Sequence, residues 1–313
     1  MTRPVAQARI VRVAGMCDQW GVDLTAGCEH RCGYCHFHRY QSMALRHEAG
    51  GADVAPALAL DELLRRDEYP PALYLSPFTD PLAPAARGNL EALLRRVLPR
   101  KVSVGISTKG VIPRRVFRLL ADYPEQVLLF VGLTSLDDAR NRAVEPGCAP
   151  AVARLANLAL AREYGLPARF VRLDPVLPGA DDAPEQLSAI LDAITGAGAV
   201  QASAAYLFLT PGVNRARLGG EPYLPEAAAH CTEACPIDGG TAYSVPLARK
   251  RATYEWLNAE CARRGLAFGT CGCKDLRLAG SSFPTSCSYP HLAECSAAGH
   301  KNPVARSLPM APT

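Results

Sequence analysis

The 313-residue chain has no run of 18 or more apolar residues, so no membrane span is expected. Its opening, Met1-Thr2-Arg3-Pro4-Val5, lacks the apolar stretch of a signal peptide, which predicts a cytoplasmic location. No charge sign dominates: 34 basic residues face 30 acidic ones, for a formal net charge of +4. The basic residues are scattered along helical segments, so no nucleic-acid footprint is expected, and Arg249-Lys250-Arg251 reads as a solvated helix face. There is no internal repeat and no hydrolytic motif. What the chain does have is cysteine. Twelve cysteines without a secretion signal point to reduced thiols and metal ligation, not to a disulfide framework. Hydrophobic residues make up 49 %, enough to bury a sizeable core.

Three cysteines cluster in Gly27-Cys28-Glu29-His30-Arg31-Cys32-Gly33-Tyr34-Cys35-His36, a C-x3-C-x2-C run. Soft thiolates at this spacing can hold three irons of a [4Fe-4S] cluster and leave the fourth without a protein ligand. An open iron can bind and reduce a small molecule, whereas a cluster closed by four cysteines only passes electrons. The competing reading is structural zinc, which needs a fourth ligand; His36 or His38 could supply it. A second group, Cys271, Cys273, Cys287 and Cys295, lies among Gly269, Gly272 and Gly280, which let the chain bend tightly. It is read as an auxiliary Fe-S site, with zinc as the alternative and Cys231 and Cys235 as competing ligands. Cys261 falls on the apolar face of a helix and reads as core. Cys17 and Cys148 are isolated and read as structural. His30, His36, His38 and His291 read as satisfied loop histidines.

Strand and helix signals alternate. Strands are predicted at 20–26, 72–76, 102–108, 127–134, 168–173 and 205–209. Helices are predicted at 58–66, 89–98, from Pro113, at 150–164 and at 184–193. In the helix at 150–164, Val152, Leu155, Leu158 and Ala159 form the expected inner face, with Gly165 past its end. Six strands separated by helices imply a parallel α/β sheet, read as a partial (β/α)6 TIM-like barrel with a doubly wound open sheet as the alternative. Candidate polar residues fall at strand ends, where barrel active sites sit: Ser76 to Asp80, Thr108-Lys109, Thr134-Ser135 and Asp174. Residues 211–245 read as loop, 247–264 as a helix and 269–295 as irregular. The expected organisation is a barrel over 1–210, a cysteine-rich auxiliary-cluster region over 211–295 and a flexible tail over 296–313.

Residues 20–210 resemble the spore photoproduct lyase-like branch of the radical S-adenosylmethionine (SAM) superfamily. Besides the cysteine triplet, the resemblance rests on Ser76-Pro77-Phe78-Thr79-Asp80-Pro81, Ser107-Thr108-Lys109-Gly110, Arg142-Ala143-Val144-Glu145-Pro146-Gly147 and Asp174-Pro175-Val176-Leu177-Pro178-Gly179, in that order after successive strands. The resemblance implies that Cys28, Cys32 and Cys35 hold a [4Fe-4S] cluster and that SAM chelates its open iron and is cleaved to a 5′-deoxyadenosyl radical. It implies Tyr34 against the adenine, and Thr79 and Asp80 at the SAM amino group or ribose. Lys109 and Arg142 would face the SAM carboxylate, with Glu145 orienting Arg142. Thr134 and Asp174 complete the expected cofactor-binding set. Expected partners are a small-molecule substrate and an external electron donor such as flavodoxin or ferredoxin. One departure stands out: no cysteine occurs between Cys35 and Cys148, where spore photoproduct lyase carries a hydrogen-donating cysteine. The reading is therefore a radical SAM enzyme acting on a nucleoside or sugar natural-product intermediate, its auxiliary cluster relaying electrons or donating sulfur, with sulfur insertion favoured. The alternatives are a DNA photoproduct-repair lyase and a non-catalytic zinc or electron-transfer protein.

Overall fold

The computed structural model describes residues 10–13, 19–35, 55–56, 60–210, 223–237 and 240–278. Its centre is a sheet of eight strands. One edge strand, β1 (Val11–Val13), runs antiparallel to β2 (Gln19–Val22). Beyond β2 the order is β5 (Ala72–Leu75), β6 (Ser103–Thr108), β7 (Val127–Gly132), β8 (Ala168–Val176), β9 (Gln201–Tyr206) and β13 (Ala267–Thr270), all parallel. Each strand lies beside its predecessor in sequence. A doubly wound sheet would reverse strand order at a switch point; here it never reverses, so the α/β fold is that of a partial TIM-like barrel whose sheet does not close.

The crossovers carry α1 (Leu60–Leu64), α2 (Arg87–Val97), α3 (Arg114–Ala121), α4 (Asp138–Val144), α5 (Ala151–Glu163) and α6 (Pro184–Ala197). Local signals set their ends. Pro184 opens α6, whose C-cap Gly198 adopts φ +94°, a left-handed backbone that costs glycine nothing. Helix α4, absent from the sequence expectations, is capped by Asp137, whose carboxylate accepts from the Ala139 and Arg140 amides. Strand β7 is buried throughout, as its unbroken apolar run requires of a central parallel strand. Leu90, Leu93, Leu94 and Val97 of α2 join Val104, Ile106, Leu129 and Val131 in the core, each contributing about 1.5–3 kcal/mol by leaving water.

Several expectations are corrected. The strand predicted at 20–26 breaks after Val22; β3 (Thr25–Ala26) pairs instead with β4 (Ala55–Pro56). Past Val22 the chain leaves the sheet, and Asp23 turns its carboxylate toward Phe78 and Thr79. The strand predicted at 205–209 ends at Tyr206, and β10 (Phe208–Leu209) leaves to pair with the strand at Gly240–Ser244. The stretch 211–245, read as loop, contains α7 (Leu224–Ala229) and the hairpin of β11 (Glu233–Ile237) and β12 (Gly240–Ser244). Val152 is 70 % exposed, so the inner face of α5 is rotated from the predicted one and takes in Ala151, Arg154, Asn157, Leu158 and Ala161. The apolar pattern misplaced it because two inward positions are polar. Helix α8 (Leu247–Arg263) and β13 extend the parallel sheet beyond the six expected strands.

Candidate active site at the carboxyl edge of the sheet

The cysteine loop leaves β3 through Gly27, at φ +89°, where the Thr25 hydroxyl donates to the Gly27 carbonyl at 2.9 Å. Cys28, Cys32 and Cys35 are half-buried on this loop. Main-chain bonds seat it on the turn after α4: Gly33 N donates to Val144 O at 2.9 Å, and Gly147 N to His30 O at 3.1 Å. From the other side, Glu29 accepts the Ala85 amide at 2.7 Å, and His30 Nδ1 meets Asp80 Oδ2 at 3.2 Å. Burial pushes the Cys28 thiol well above its ordinary range, and negative charge on Asp80, Cys32 and Cys35 adds to the shift. Cys32 is lowered to about 7, chiefly because the Cys148 thiol lies 3.6 Å from its sulfur. Among the described residues, no three Cys, His, Asp or Glu side chains converge as a metal cage. The donor set nevertheless fits an iron–sulfur core: three soft thiols share one loop, repel one another when ionised, and lie beside the cations His30 and Lys109. His30, the described histidine nearest in sequence to the triad, is engaged with Asp80 through Nδ1. His36 and His38 lie outside the described residues.

Behind the loop, Tyr34 is buried and donates its hydroxyl to Glu145 Oε1. Lys109 Nζ stands 5.5 Å from the centre of the Tyr34 ring and donates to the Asp174 carbonyl at 3.3 Å. Burial alone would lower the Lys109 pKa, but Glu145, Cys32, Cys148 and Asp174 raise it, so the ammonium stays charged. The other oxygen of Glu145 forms an ion pair with Arg154 Nη2 at 2.6 Å, without the alignment of a hydrogen bond, and both side chains are sealed from solvent. Arg154 also donates to Ala149 O at 2.6 Å and Gly132 O at 3.1 Å, which ties α5 to the end of β7.

Asp80 ties the ends of β5 and β6 to the cysteine loop. It accepts from the Leu82 amide, the Thr108 hydroxyl and the Lys109 amide at 2.7–2.8 Å, besides meeting His30. Burial would raise its carboxyl, but the charge and hydrogen bond of His30, with the Lys109 amide and the Thr108 hydroxyl, hold it down at about 2. Thr79 donates to Asp23 Oδ1 at 3.0 Å; burial pushes Asp23 up to about 6 against that bond. Thr134 is buried and accepts from Arg140 at 3.0 Å, and Arg140 pairs with Asp181. Arg142 sits on the exposed face of α4 and is not brought to this cluster. The expected orientation of Arg142 by Glu145 is therefore corrected. Positions 140, 141 and 144 face inward, position 142 lies about half a helical turn away, and Glu145 takes Arg154.

The described part of the second cysteine group also reaches this edge. Strand β13 delivers Cys271 and Cys273, both half-buried, to the carboxyl end of the sheet. Between them and β8, Lys274 pairs with Asp174, which also binds Arg172 at 2.6 Å. Despite burial, these cations hold the Asp174 carboxyl well below its usual range. Cys235 Sγ lies 3.4 Å from the Lys274 carbonyl, whereas Cys231 is buried in a separate apolar cluster with Tyr34, Val144 and Leu177. Cys261 is in the main core, as its helical face predicted. Cys17, Cys287, Cys295 and His291 lie outside the described residues.

Sequence reasoning missed Asp23, Arg140, Arg154 and the approach of Cys148 to Cys32. Only Arg154 left a trace, as a charged residue three positions from Ala151 and four from Leu158 on the buried stripe of α5.

Residues 22–189, just over half of the chain, match the model of the Radical SAM superfamily. An uncharacterized protein, ORF301, of Acidianus two-tailed virus is 25% identical over 198 residues, covering 59% of this chain and 65% of that protein, so the chain matches under two thirds of its relative's length. Among solved structures, a mutant of spore photoproduct lyase superposes with a TM-score of 0.61 at 11% identity over 84% of this chain and 79% of that one. The same lyase complexed with dinucleoside spore photoproduct gives 0.60 at 11% over 84% and 80%. Streptococcus suis SuiB bound to S-adenosylmethionine gives 0.51 at 13% identity, over 81% of this chain and 50% of that one. At these identities the structural likenesses show the fold alone. Among the described residues, no helix is long and apolar enough to cross a membrane.

Proposed function

Since this chain belongs to the radical SAM superfamily, we propose that it cleaves SAM reductively and removes hydrogen from a small polar substrate of the nucleoside or sugar type. Cys28, Cys32 and Cys35 would hold a [4Fe-4S] cluster, which when bound supplies an iron open to SAM and the electron that converts SAM to methionine and a 5′-deoxyadenosyl radical. The observation that carries this reading is the seating of that loop beside a half-buried, charged Lys109.

Lys109 presents an ammonium to which the SAM carboxylate is complementary, and Asp174 O and the Tyr34 ring fix its direction. Glu145 holds Tyr34 by its hydroxyl, so the ring face stays at a set angle for stacking on adenine. Asp80 locks the β5 and β6 ends to the cysteine loop and spends its own acceptors doing so. Val144, Leu177 and Leu207 pack with Tyr34 and back its ring with an apolar wall. Cys271 and Cys273, on the segment that Lys274 ties to Asp174, would bind a second cluster together with Cys287 and Cys295. Soft thiols at the same edge support a cluster that relays electrons or gives up sulfur to the substrate, with sulfur insertion the favoured outcome. An external flavodoxin or ferredoxin would supply the electron, in the cytoplasm.

Anaerobic reconstitution followed by reduction with SAM present is the test. The wild type is expected to release 5′-deoxyadenosine, and Cys32→Ala to release none. Cleavage retained in that variant, or zinc without sulfide in the purified chain, would overturn the proposal.

A further inference from the structure

We infer that Gly147 is a positioning residue: it lets the cysteine loop seat on the turn 144–148, and no larger residue can do so. A Cβ at this position would stand 2.1 Å from Glu29 O, 2.8 Å from His30 Cα and 2.9 Å from Glu29 C. All three are main-chain atoms of the loop between Cys28 and Cys32, so no rotamer change relieves the overlap. Two bonds running in opposite directions, Gly33 N to Val144 O and Gly147 N to His30 O, hold the surfaces at that separation.

The loop must yield, because the turn cannot. Cys148 N donates to Glu145 O and Ala149 N to Lys109 O. Arg154 grips both the Glu145 carboxylate and the Ala149 carbonyl from the core. A methyl group at position 147 therefore drives the segment 28–32 outward and takes Cys32 away from Cys148, whose sulfurs lie 3.6 Å apart when the loop is seated. The seat is a property of the polypeptide. Its link to iron rests on the cluster-binding reading above, and the test separates the two.

Gly147→Ala is compared with Gly196→Ala, where an added Cβ meets nothing within 4 Å. On iron-free protein, alkylation by iodoacetamide is followed residue by residue with mass spectrometry. Cys28, Cys32 and Cys35 are expected to react about tenfold faster in Gly147→Ala, the size of change that overpacking causes in a local opening, while core Cys261 is unchanged. After reconstitution, the visible absorbance of the cluster is expected to fall in Gly147→Ala and persist in Gly196→Ala. Wild-type reactivity and wild-type iron uptake in Gly147→Ala would overturn the inference. If no variant, nor the wild type, takes up iron, the cluster reading fails and the alkylation rates still decide the seat. Should Gly147→Ala not fold, the iron-free wild type is treated with diamide, whose N=N bond takes two electrons and two protons from a pair of thiols as they join in a disulfide. A Cys32–Cys148 bridge as the main product supports the seat; its absence overturns it.

Discussion

Arg154 Nη2 and Glu145 Oε2 lie 2.6 Å apart, on side chains that are 0 % exposed, at the junction of α5 and the turn that seats the cysteine loop. Removing one member takes a buried counter-charge from the other. Arg154→Met is expected to cost about 3–5 kcal/mol in guanidinium unfolding. Arg154→Lys should cost less, because it keeps the charge but loses the fork that reaches Ala149 and Gly132. Equal costs for the two variants would show that charge is not what matters at this position.

Asp23 titrates in the direction opposite to a paired carboxylate. Its folded pKa, about 6, lies above the ordinary 3.8 because burial outweighs the bonds from Thr79 and Phe78. Folding therefore takes up a proton between these values. The contribution of Asp23 is greatest below pH 4 and is lost as pH rises through about 6, by about 2 kcal/mol for a half-buried group. Asp23→Asn should flatten this part of a denaturation–pH profile, and an unchanged slope would refute the assignment.

Asp80→Ala leaves the Leu82 and Lys109 amides and the Thr108 hydroxyl without their acceptor. Unmet buried donors cost about 1–3 kcal/mol each, so thermal unfolding should shift down by many degrees. Asp80→Asn keeps an acceptor oxygen and should lose less.

Lys274→Ala cuts the tie between the segment after β13 and Asp174. The pair is partly exposed, so the global loss should be about 1 kcal/mol or less. The local effect is larger: hydrogen exchange in 271–278 should speed up while β7 stays protected. No change in that peptide would mean the tie does not hold the segment.

Anaerobic iron and sulfide counts test the second cluster. Two four-iron clusters require about eight irons per chain, and Cys271→Ala should bring the count down to about four. Four irons in the wild type would limit the protein to one cluster.

The alternation of strands and helices, the three-thiol loop and the placing of Asp80 and Lys109 after their strands were legible in the sequence, whereas Asp174 lies within β8, which runs on to Val176. Each depends on short-range patterns: apolar runs, a fixed cysteine spacing, polar residues directly after a strand. Helix α4 was missed because its seven residues are largely polar, and its cap, Asp137, is a signal that loops also carry. The pairing of Glu145 was misread because Arg142 is near in sequence whereas Arg154 is near in space.

What the sequence alone determined, then, is which chemical groups are available and on which edge of the sheet they emerge, since a parallel strand delivers its next residues to that edge whatever else the chain does. Tertiary structure decided which of those groups meet: Arg154 with Glu145, Cys148 with Cys32, Lys274 with Asp174. The reason is distance along the chain. Cys148 and Cys32 are separated by 116 positions and Lys274 and Asp174 by 100, and no local propensity acts over such a span; only the packing of whole strands and helices brings them within reach.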